Sequence, residues 1–563
     1  MHINFRKTRQ VFVFFLTISV FALLLARLVY IQILRNKELI KLADRQHGMF
    51  VKLPPRRGNI YDRFRRVLAV YLDTPSIYAV PKEIADKEIV SGILSSELKL
   101  DNEELLAKLE KDNYFAWVAR KVKRDTANDI KDLGINGIYT IKEPKRFYPG
   151  GMLACHVLGL TGIDNEGLEG IELYCERELK GEYGWRRSTR DAKRREVVSL
   201  EKAALPARNG RSVVLTIDQV IQHAIESEIE KLAKSYKPKA VSVIAANPVT
   251  GEILGLANYP AFDPNDTSGI KTDFVRNRAI ADSFEPGSVF KLVTASAALE
   301  EGIVDFDTGF FCENGSYRVG KRTLHDYHAY GKLTFREVIE KSSNIGTAKV
   351  AGLLGREKLA AYIKKFNFSG PTGIDLPGEA GGIMRDPSGW SYVDMTTVPM
   401  GQGIAVTALQ LAAAISAIAN EGVLMKPYVV KEVLSDDGRP ARVNKPSPVR
   451  KVVSKQTADK VKEILKGAVE RGTGRRAKIA RYTAAGKTGT AQKVNPDGGY
   501  YKNKYIASFI GFAPCEKPLI ALVISVDEPR GRHFGGQVAA PAFKNIMEKI
   551  LPYMETAGYR NEA

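Results

Sequence analysis

Apolar residues fall along this chain in three patterns, and each pattern predicts a different kind of structure. Val11 to Ile31 is apolar almost without interruption, which predicts one long helix. Residues 75–140 mix charged and apolar positions at helical spacing, and we expect helices there, including one over Phe115 to Val122. Short apolar runs typical of buried strands come later, at 240–247, 252–258, 483–492, 505–512 and 519–526. This order predicts a multidomain α+β protein behind an N-terminal helix.

The N-terminal run is long enough to cross a membrane. As a helix, residues 11–31 would span about 30 Å, the thickness of a bilayer core. Arg6, Lys7 and Arg9 precede the run, and basic residues favour the cytoplasmic side. A cleaved signal peptide is the alternative, but its apolar core is normally shorter and ends in a small-x-small site. We therefore expect a cytoplasmic tail at 1–10, a single-pass transmembrane helix at 11–31 in the inner (plasma) membrane, and an extracytoplasmic remainder.

Composition limits the partners of the chain. Its 563 residues exceed a single core, so two or three domains are expected. The net charge of +20 and the pI near 9.5 would suit nucleic acid, an anionic membrane surface or an acidic substrate. Export excludes nucleic acid as a partner and leaves the membrane face, the cell wall and anionic lipid-linked precursors. Three full pairings are possible among the four cysteines, and export permits each without requiring any. They are Cys155, Cys175, Cys312 and Cys515.

The candidate nucleophile is Ser288, in the segment Phe284 to Lys291. Pro286 and Gly287 mark a turn, and the apolar, Ala-rich run that follows predicts a helix that begins at this serine. Residues three apart share a helix face, so Lys291 can reach the Ser288 hydroxyl. A lysine in a dry, cationic site can lose its proton and act as a base.

Two later motifs give this Ser-x-x-Lys spacing its meaning, because the spacing alone recurs elsewhere in the chain. Ser342-Ser343-Asn344 follows first, and Lys487-Thr488-Gly489-Thr490 contains the one Lys-Thr-Gly of the sequence. Ser-x-x-Lys, Ser-x-Asn and Lys-Thr-Gly in this order form a serine acyltransferase signature. The chain therefore resembles penicillin-binding proteins and class A β-lactamases.

A segment before these motifs makes the resemblance more specific. Residues 57–63, Arg-Gly-Asn-Ile-Tyr-Asp-Arg, are similar to the first exported strand of class B penicillin-binding proteins. The family usually continues with Asn-Gly, whereas this chain has Phe64-Arg65. Both residues take positive φ reluctantly, so we expect a different or longer turn here. The resemblance implies a non-catalytic pedestal (dimerisation-type) domain at 32–225, a transpeptidase domain with an antiparallel sheet between helical layers at 226–555, and a tail at 556–563.

The resemblance also implies a role for each motif residue. Ser288 would attack the D-Ala-D-Ala amide of a peptidoglycan stem peptide, with Lys291 as base and Ser342 as proton relay. Asn344 would hold a substrate carbonyl and the lysine. The Lys-Thr-Gly strand would supply the positive charge of Lys487, and the hydroxyls of Thr488 and Thr490 would bind the substrate carboxylate. Gly489 would let the strand approach the Ser288 helix closely, and the backbone N–H groups of Ser288 and Thr490 would form the oxyanion hole.

The predicted function is that of a peptidoglycan D,D-transpeptidase and penicillin target without metal or cofactor. Its expected partners are stem peptides, β-lactams, the membrane, SEDS-family glycosyltransferases and divisome membrane proteins. Arg27, Thr17 and Ser19 are costly against lipid, which favours a helix partner in the membrane. The residues around Ser342 and Phe284 look more like the cell-division (FtsI-like) branch of the family than the elongation branch. An elongation-type transpeptidase is kept as an alternative.

Other interpretations are weaker. Glu166, Glu169 and Glu172 suggest paired glycosidase carboxylates, but such a close cluster is more often a structural ion-pair network. His325 and His328 could bind a metal, yet no cysteine pair or Glu-x-x-His joins them. Gly486-Lys487-Thr488 lacks the earlier glycine of a phosphate loop. A β-lactamase or carboxypeptidase, and a wall-sensing scaffold that is only acylated, remain as alternative functions.

Overall fold

The computed structural model describes residues 5–39, 48–190, 196–197, 204–320 and 322–559. The chain divides into two units. One unit contains residues 1–56 and 181–209, and the other contains residues 57–180 and 210–563.

The first unit contains the N-terminal helix and a small sheet. The helix Phe5–Val29 continues into a π-helical turn, Tyr30–Leu34. Arg6–Leu34 has a mean hydropathy of 2.5 and buries none of its surface in the protein, so by length and composition it can cross a membrane. The Thr17 hydroxyl donates to the Val13 carbonyl at 2.8 Å, which satisfies one of the polar groups expected to need a partner. In the sheet, Gly48–Leu53 pairs antiparallel with Gly184–Arg190, which also pairs with Glu196–Val197 and Ala204–Leu205.

The larger unit contains the remaining elements. Its α-helices are Lys87–Leu98, Asn102–Glu110, Arg124–Asp132, Cys155–Leu158, Gly170–Tyr174, Glu176–Leu179, Gln219–Tyr236, Thr272–Val275, Arg278–Ala281, Lys291–Glu300, Phe335–Glu340, Asn344–Leu354, Arg356–Lys365, Asp394–Thr397, Ala408–Ala419, Lys455–Glu470 and Gly535–Thr556. Its 3₁₀ turns are Pro81–Glu83, Gly287–Phe290, Glu313–Gly315, Pro387–Gly389, Val398–Met400 and Arg475–Ala477. Short strand pairs are Gly309–Phe311 with Lys332–Thr334, Ser316–Val319 with Arg322–His325, Ile383–Met384 with Ile404–Ala405, and Val423–Met425 with Pro448–Lys451.

A seven-stranded sheet joins distant parts of the chain. Its order is Pro440–Val443, Val430–Leu434, Val213–Leu215, Ile60–Tyr61, Val67–Ala79 and Ala116–Ala119, with Ile138–Phe147 also paired to Val67–Ala79. The strand Ala116–Ala119 corrects the helix predicted over 115–122. It pairs with Val67–Ala79, and its Trp117 and the preceding Phe115 are aromatic residues that suit a sheet surface. The helix Asn102–Glu110 is capped by Asp101, whose side chain accepts from the Glu104 N–H.

The turn at Phe64-Arg65 is tight, so of the expected different or longer turn the longer one is wrong. Arg65 adopts a φ of 62°, in the left-handed region that costs an ordinary residue roughly 1–2 kcal/mol. The buried Asp62 carboxylate accepts from the Phe64 and Arg66 N–H groups at 2.9 and 2.8 Å. These hydrogen bonds hold the turn in the strained conformation.

A second sheet has five antiparallel strands between two helical layers, as predicted for the transpeptidase domain. Its order is Ile253–Tyr259, Ala240–Ala246, Ile520–Asp527, Tyr500–Ala513 and Ala485–Val494. Gln219–Tyr236 and Gly535–Thr556 pack on one face. Lys291–Glu300 and Ala408–Ala419 belong to the core on the other face. Ala485–Val494 is therefore an edge strand, with one side free of strand partners in the described chain.

Two predicted boundaries fall inside folded elements. The division at 225–226 lies within the helix Gln219–Tyr236. Residue Tyr559, placed in a tail, is buried, and its hydroxyl donates to Asp218 at 2.6 Å while Arg63 lies 4.4 Å from its ring centroid. The segment after the last helix therefore packs against residues that follow the strands Ile60–Tyr61 and Val213–Leu215 of the seven-stranded sheet. All four cysteines are buried and unpaired.

Candidate active site

Ser288 lies in the 3₁₀ turn Gly287–Phe290, directly before the helix Lys291–Glu300. Gly287 has a φ of 57°, and its N–H donates to the Gly401 carbonyl at 3.0 Å. A side chain at Gly287 would also meet the Thr490 carbonyl at 2.9 Å. These contacts fix the turn that presents the half-buried Ser288.

The Lys291 amine is completely buried next to Ser342 and Asn344. It donates to the Ser342 carbonyl at 2.7 Å and to Asn344 Oδ1 at 2.8 Å, and it lies 3.3 Å from Ser342 Oγ. Burial lowers the pKa of Lys291 well below its usual value, and the nearby charge of Lys487 lowers it further. A neutral amine keeps two hydrogens for the two carbonyl oxygens and one lone pair for a hydroxyl proton. The environment of Lys291 therefore suits a general base.

Ser342 connects the two buried lysines. Lys487 Nζ donates to Ser342 Oγ at 2.9 Å and to the Thr488 carbonyl at 3.1 Å. Burial lowers the pKa of Lys487 to about 7. Ser342 takes a φ of 60°, a strained conformation of the kind that concentrates at functional sites. The hydroxyl of Ser342 is thus positioned to pass a proton between Lys291 and a group near Lys487.

Asp326, which the sequence analysis did not select, organises the Ser342-Ser343-Asn344 motif. Its carboxylate accepts from Ser343 Oγ at 2.6 Å, from the Asn344 N–H at 2.5 Å and from the Ile345 N–H at 3.1 Å. The adjacent His325 carbonyl accepts from Asn344 Nδ2 at 2.9 Å, which turns Asn344 Oδ1 toward Lys291. The loop that contains His325 and Asp326 therefore uses a backbone carbonyl and a carboxylate to orient this motif. In the part of the chain that the structure describes, no group of three or more metal-ligating side chains assembles.

The Lys-Thr-Gly segment lies on the edge strand Ala485–Val494, against the Ser288 turn. A Cβ at Gly489 would lie 2.3 Å from Ser508 Oγ, 2.9 Å from Val289 Cγ1 and 3.0 Å from the Pro286 carbonyl. Only glycine permits this approach of strand and turn. Because Gly486-Lys487-Thr488 runs as strand, it does not form the loop that would cradle a phosphate.

The two threonines of the segment differ in their hydrogen bonds. Thr488 Oγ1 lies 2.7 Å from Thr473 Oγ1, and either hydroxyl can donate. Thr490 Oγ1 accepts from the Gly535 N–H at 3.0 Å, which leaves the Thr490 hydroxyl hydrogen for a ligand. Thr473 was missed by the sequence analysis. It is held by the Glu340 carbonyl, two residues before Ser342, which accepts from the Thr473 N–H at 3.2 Å.

The acidic cluster around Glu172 is structural. Its two carboxylate oxygens accept from Arg57 Nε at 2.6 Å and from Arg146 Nε at 2.5 Å, and all three side chains are buried. A carboxylate that is fully engaged by two guanidinium groups does not serve as a glycosidase acid or nucleophile. Arg57 belongs to the 57–63 segment, so this network ties that segment to the helices after residue 170.

The site has the arrangement that an active-serine acyltransferase requires. It combines a serine at a rigid turn, a buried lysine with a lowered pKa and a hydroxyl between two lysines. The family model described as penicillin binding protein transpeptidase domain matches residues 241–548, and the penicillin-binding protein dimerisation domain matches residues 52–215. The chain belongs to the penicillin-binding protein family.

Individual relatives agree with this membership. The chain is 36% identical to stage V sporulation protein D of Bacillus subtilis, over 99% of this chain and 87% of that protein. It is 31% identical to peptidoglycan D,D-transpeptidase FtsI of Escherichia coli, over 100% of this chain and 95% of that protein. The crystal structure of penicillin binding protein 3 from Mycobacterium tuberculosis, complexed with aztreonam, superposes with a TM-score of 0.71 at 30% identity and covers 90% of this chain and 97% of that one.

Proposed function

We propose that this protein is a peptidoglycan D,D-transpeptidase that cross-links stem peptides through a Ser288 acyl-enzyme. The observation that carries the proposal is the hydrogen-bonded line from Lys291 through Ser342 to Lys487, beside the serine turn. It supplies a base, a relay and a positive charge. The names of the relatives, which include peptidoglycan D,D-transpeptidases, support the substrate class.

In the acylation step, Ser288 Oγ attacks the carbonyl carbon of the penultimate D-Ala. Neutral Lys291 takes the hydroxyl proton, and the carbonyl oxygen becomes an oxyanion held by the Ser288 and Thr490 N–H groups. One such donor contributes about 3 kcal/mol to the transition state. The C–N bond then breaks, the proton reaches the departing amine through Ser342, and free D-Ala leaves. An amine on a neighbouring stem attacks the remaining ester, returns a proton to Ser288 and forms the cross-link.

The edge strand determines how the donor peptide lies. An extended peptide can add to the free edge of Ala485–Val494 through backbone hydrogen bonds. Its terminal carboxylate is bound by the hydroxyls of Thr488 and Thr490 and attracted by the charge of Lys487. Asn344 binds a peptide carbonyl from the opposite wall of the cleft. Gly489 contributes by letting the strand lie close to Ser288.

Labelled penicillin is expected to attach to Ser288 alone, because the β-lactam carbonyl takes the place of the scissile amide. Mass spectrometry of the acylated peptide measures the position of the label. Ser288→Ala should lose all of the label, while Ser283→Ala, a nearby serine outside the motifs, should keep it. Label at another residue, or label retained by Ser288→Ala, contradicts the proposed function.

Acylation is expected to follow a bell-shaped pH profile. As pH falls through the lowered pKa of Lys291, this amine gains a proton and can no longer accept one from Ser288, so acylation slows. As pH rises through the pKa of Lys487, about 7 in the free protein, the charge that attracts the substrate carboxylate is lost. Because the two amines interact, the two limbs of the profile report apparent pKa values of the pair and not of either lysine alone.

The measurement is the second-order rate constant of acylation by a fluorescent penicillin across this pH range. Lys487→Arg keeps its charge at all of these pH values, and should remove the alkaline limb while the acid limb stays. A flat profile of the unchanged protein, or an alkaline limb that Lys487→Arg leaves in place, contradicts the assigned roles.

The cellular role that we propose is septal wall synthesis during division, with the N-terminus in the cytoplasm and the catalytic part outside the membrane. FtsI of Escherichia coli is one of the relatives that span the chain, and Arg27 within the apolar helix favours a membrane partner such as a SEDS glycosyltransferase. The division into a non-catalytic domain and a transpeptidase domain is also part of this proposal, with the boundary outside the helix Gln219–Tyr236.

Exchanging residues 1–34 for an unrelated membrane anchor is expected to preserve penicillin binding but not function in cells. Depletion of the protein should produce filaments, and the exchanged chain should fail to restore septa because its helix no longer meets its partner. Microscopy measures filament formation and the restoration of septa. Penicillin labelling of the membrane fraction is the control that shows that the exchanged protein is present and binds penicillin. Rounded cells on depletion indicate the elongation role instead, and full rescue contradicts the helix partner.

A further inference from the structure

A cavity of about 520 Å³ lies beside the proposed catalytic centre, on the side toward the end of the edge strand. Ser283, Phe284 and Glu285, just before the Ser288 turn, form one wall, and residues 492–494 of the edge strand form another. Lys239 is an exposed part of its lining. The volume is in the range that holds an organic side chain or ligand.

Glu285 has one carboxylate oxygen without a partner in this cavity. Its Oε1 accepts from the Gly403 N–H at 2.7 Å and from the Tyr500 hydroxyl at 3.3 Å. Its Oε2 is buried and has no hydrogen bond. Buried polar atoms in native proteins are normally paired, so an unpaired oxygen in a cavity points to a ligand that supplies a donor. Burial raises the pKa of Glu285 as well, which is the cost of an uncompensated negative charge.

The other carboxylates of the cavity wall are already neutralised. Asp282 pairs with Arg276 Nε at 2.5 Å and with Arg278 Nη1 at 2.9 Å. Asp527 pairs with Lys493 at 2.9 Å. Among the described residues of the wall, Glu285 is thus the carboxylate whose charge no arginine or lysine balances. The missing partner is a cation.

The direction of the donor peptide, which rests on the proposed function, brings a suitable cation here. With its terminal carboxylate at Thr488 and its scissile carbonyl at Ser288, an antiparallel peptide runs upstream along the edge strand toward Val494. Cross-linking consumes an amine on a neighbouring stem, so stems that can serve as acceptors carry a side-chain amine. In a donor of the same kind that amine lies upstream of D-Ala-D-Ala, on the side of the cavity.

We propose that this cavity binds the ammonium group of the diamino acid that precedes D-Ala-D-Ala in the donor stem, with Glu285 as its counter-ion. The Gly403 N–H and Tyr500 hydroxyl hold the carboxyl group in place, and its free Oε2 accepts from the ammonium. The site selects donors by the charge on this side chain before acylation begins.

The test uses two synthetic donors that differ by one acetyl group. One is Nα-acetyl-L-lysyl-D-alanyl-D-thiolactate with a free ε-ammonium, and the other carries an ε-acetyl group in addition. The unchanged full-length protein should be acylated faster by the free ammonium donor. Glu285→Gln should lower this preference about tenfold, the effect of losing one charge-assisted hydrogen bond. Glu528→Gln, which removes a neighbouring carboxylate outside the cavity wall, should leave the preference unchanged.

The ratio of the two rates within each protein cancels any general loss of active enzyme. Equal rates for the two donors in the unchanged protein overturn the inference without any variant. A preference that Glu285→Gln retains overturns it too. A Glu285→Gln effect confined to aminolysis of the acyl-enzyme assigns the cavity to the acceptor amine and overturns the donor assignment. Failure of both donors and of benzylpenicillin to acylate Ser288 would instead refute the proposed function.

Discussion

Replacing Lys291 with alanine is expected to slow acylation of Ser288 by penicillin about a thousandfold, in the range of a lost general base. The amine of Lys291 is buried with its hydrogens directed to two carbonyl oxygens, Ser342 O and Asn344 Oδ1. Burial lowers its pKa, which favours the neutral amine with its free lone pair. Within the described chain, no histidine makes a hydrogen bond to Ser288, Ser342 or Lys487 that would let it replace this base.

Lys291→Arg should fail as completely as alanine, because arginine keeps its proton at any pH that the protein tolerates. Lys341→Ala is the matched control, since Lys341 lies next to Ser342 but pairs with Glu337 at 2.8 Å, outside this network. Stopped-flow acylation with a fluorescent penicillin measures the three variants, and thermal unfolding shows that each is folded. An arginine variant that acylates at the original rate would remove Lys291 from the role of base.

Motif residues can be predicted from the sequence when they are close together in the chain or lie on a recognisable helix or strand. Ser288 and Lys291 are three apart at a helix start, and Gly489 stands in a strand that the apolar run at 483–492 predicts. Local spacing carries this information, because helix faces and strand edges have fixed periods. That the three motifs meet in one cleft followed from the resemblance, not from the spacing.

Asp326 and Thr473 could not be found in this way. Asp326 reaches Ser343 and Asn344 across 17 and 18 residues, and Thr473 reaches Thr488 across 15. Neither contact has a local pattern, since each depends on how two loops are folded against a helix or a strand. The glycines on both sides of Thr473 signal a turn and nothing about the hydroxyl.

Tertiary contacts also explain the local errors. The apolar residues of Ala116–Ala119 fit both the helical and the strand period, and pairing with Val67–Ala79 makes this segment a strand. Tyr559 stands in a short polar segment after the last helix, yet Arg63 and Asp218 bind it from positions far earlier in the chain.

The second large effect concerns hydrolysis, which this protein is expected to perform badly. Transfer to an amine requires an acyl-enzyme that outlasts attack by water, and deacylation by water needs a base that activates it. Asp326 already accepts three hydrogen bonds. Glu285 Oε1 accepts two, and its Oε2, which has no hydrogen bond, is the oxygen proposed above to bind the donor ammonium. Among the described residues, neither carboxylate makes a hydrogen bond to Ser288, Lys291 or Ser342. Neither is therefore placed to deliver a water to the ester.

With penicillin the bound acyl group also blocks the approach of the acceptor amine. Deacylation by water and deacylation by the amine therefore both fail. The adduct on Ser288 should persist over a chase many times longer than one turnover, which takes about a second or less in a typical enzyme. Pulse labelling with fluorescent penicillin, followed by a chase with unlabelled drug, measures the lifetime, and heat-denatured labelled protein serves as the control for chemical loss of the ester. Disappearance of the label within seconds, together with accumulation of hydrolysed antibiotic, would place the protein with the β-lactamases and contradict its assignment as a transpeptidase.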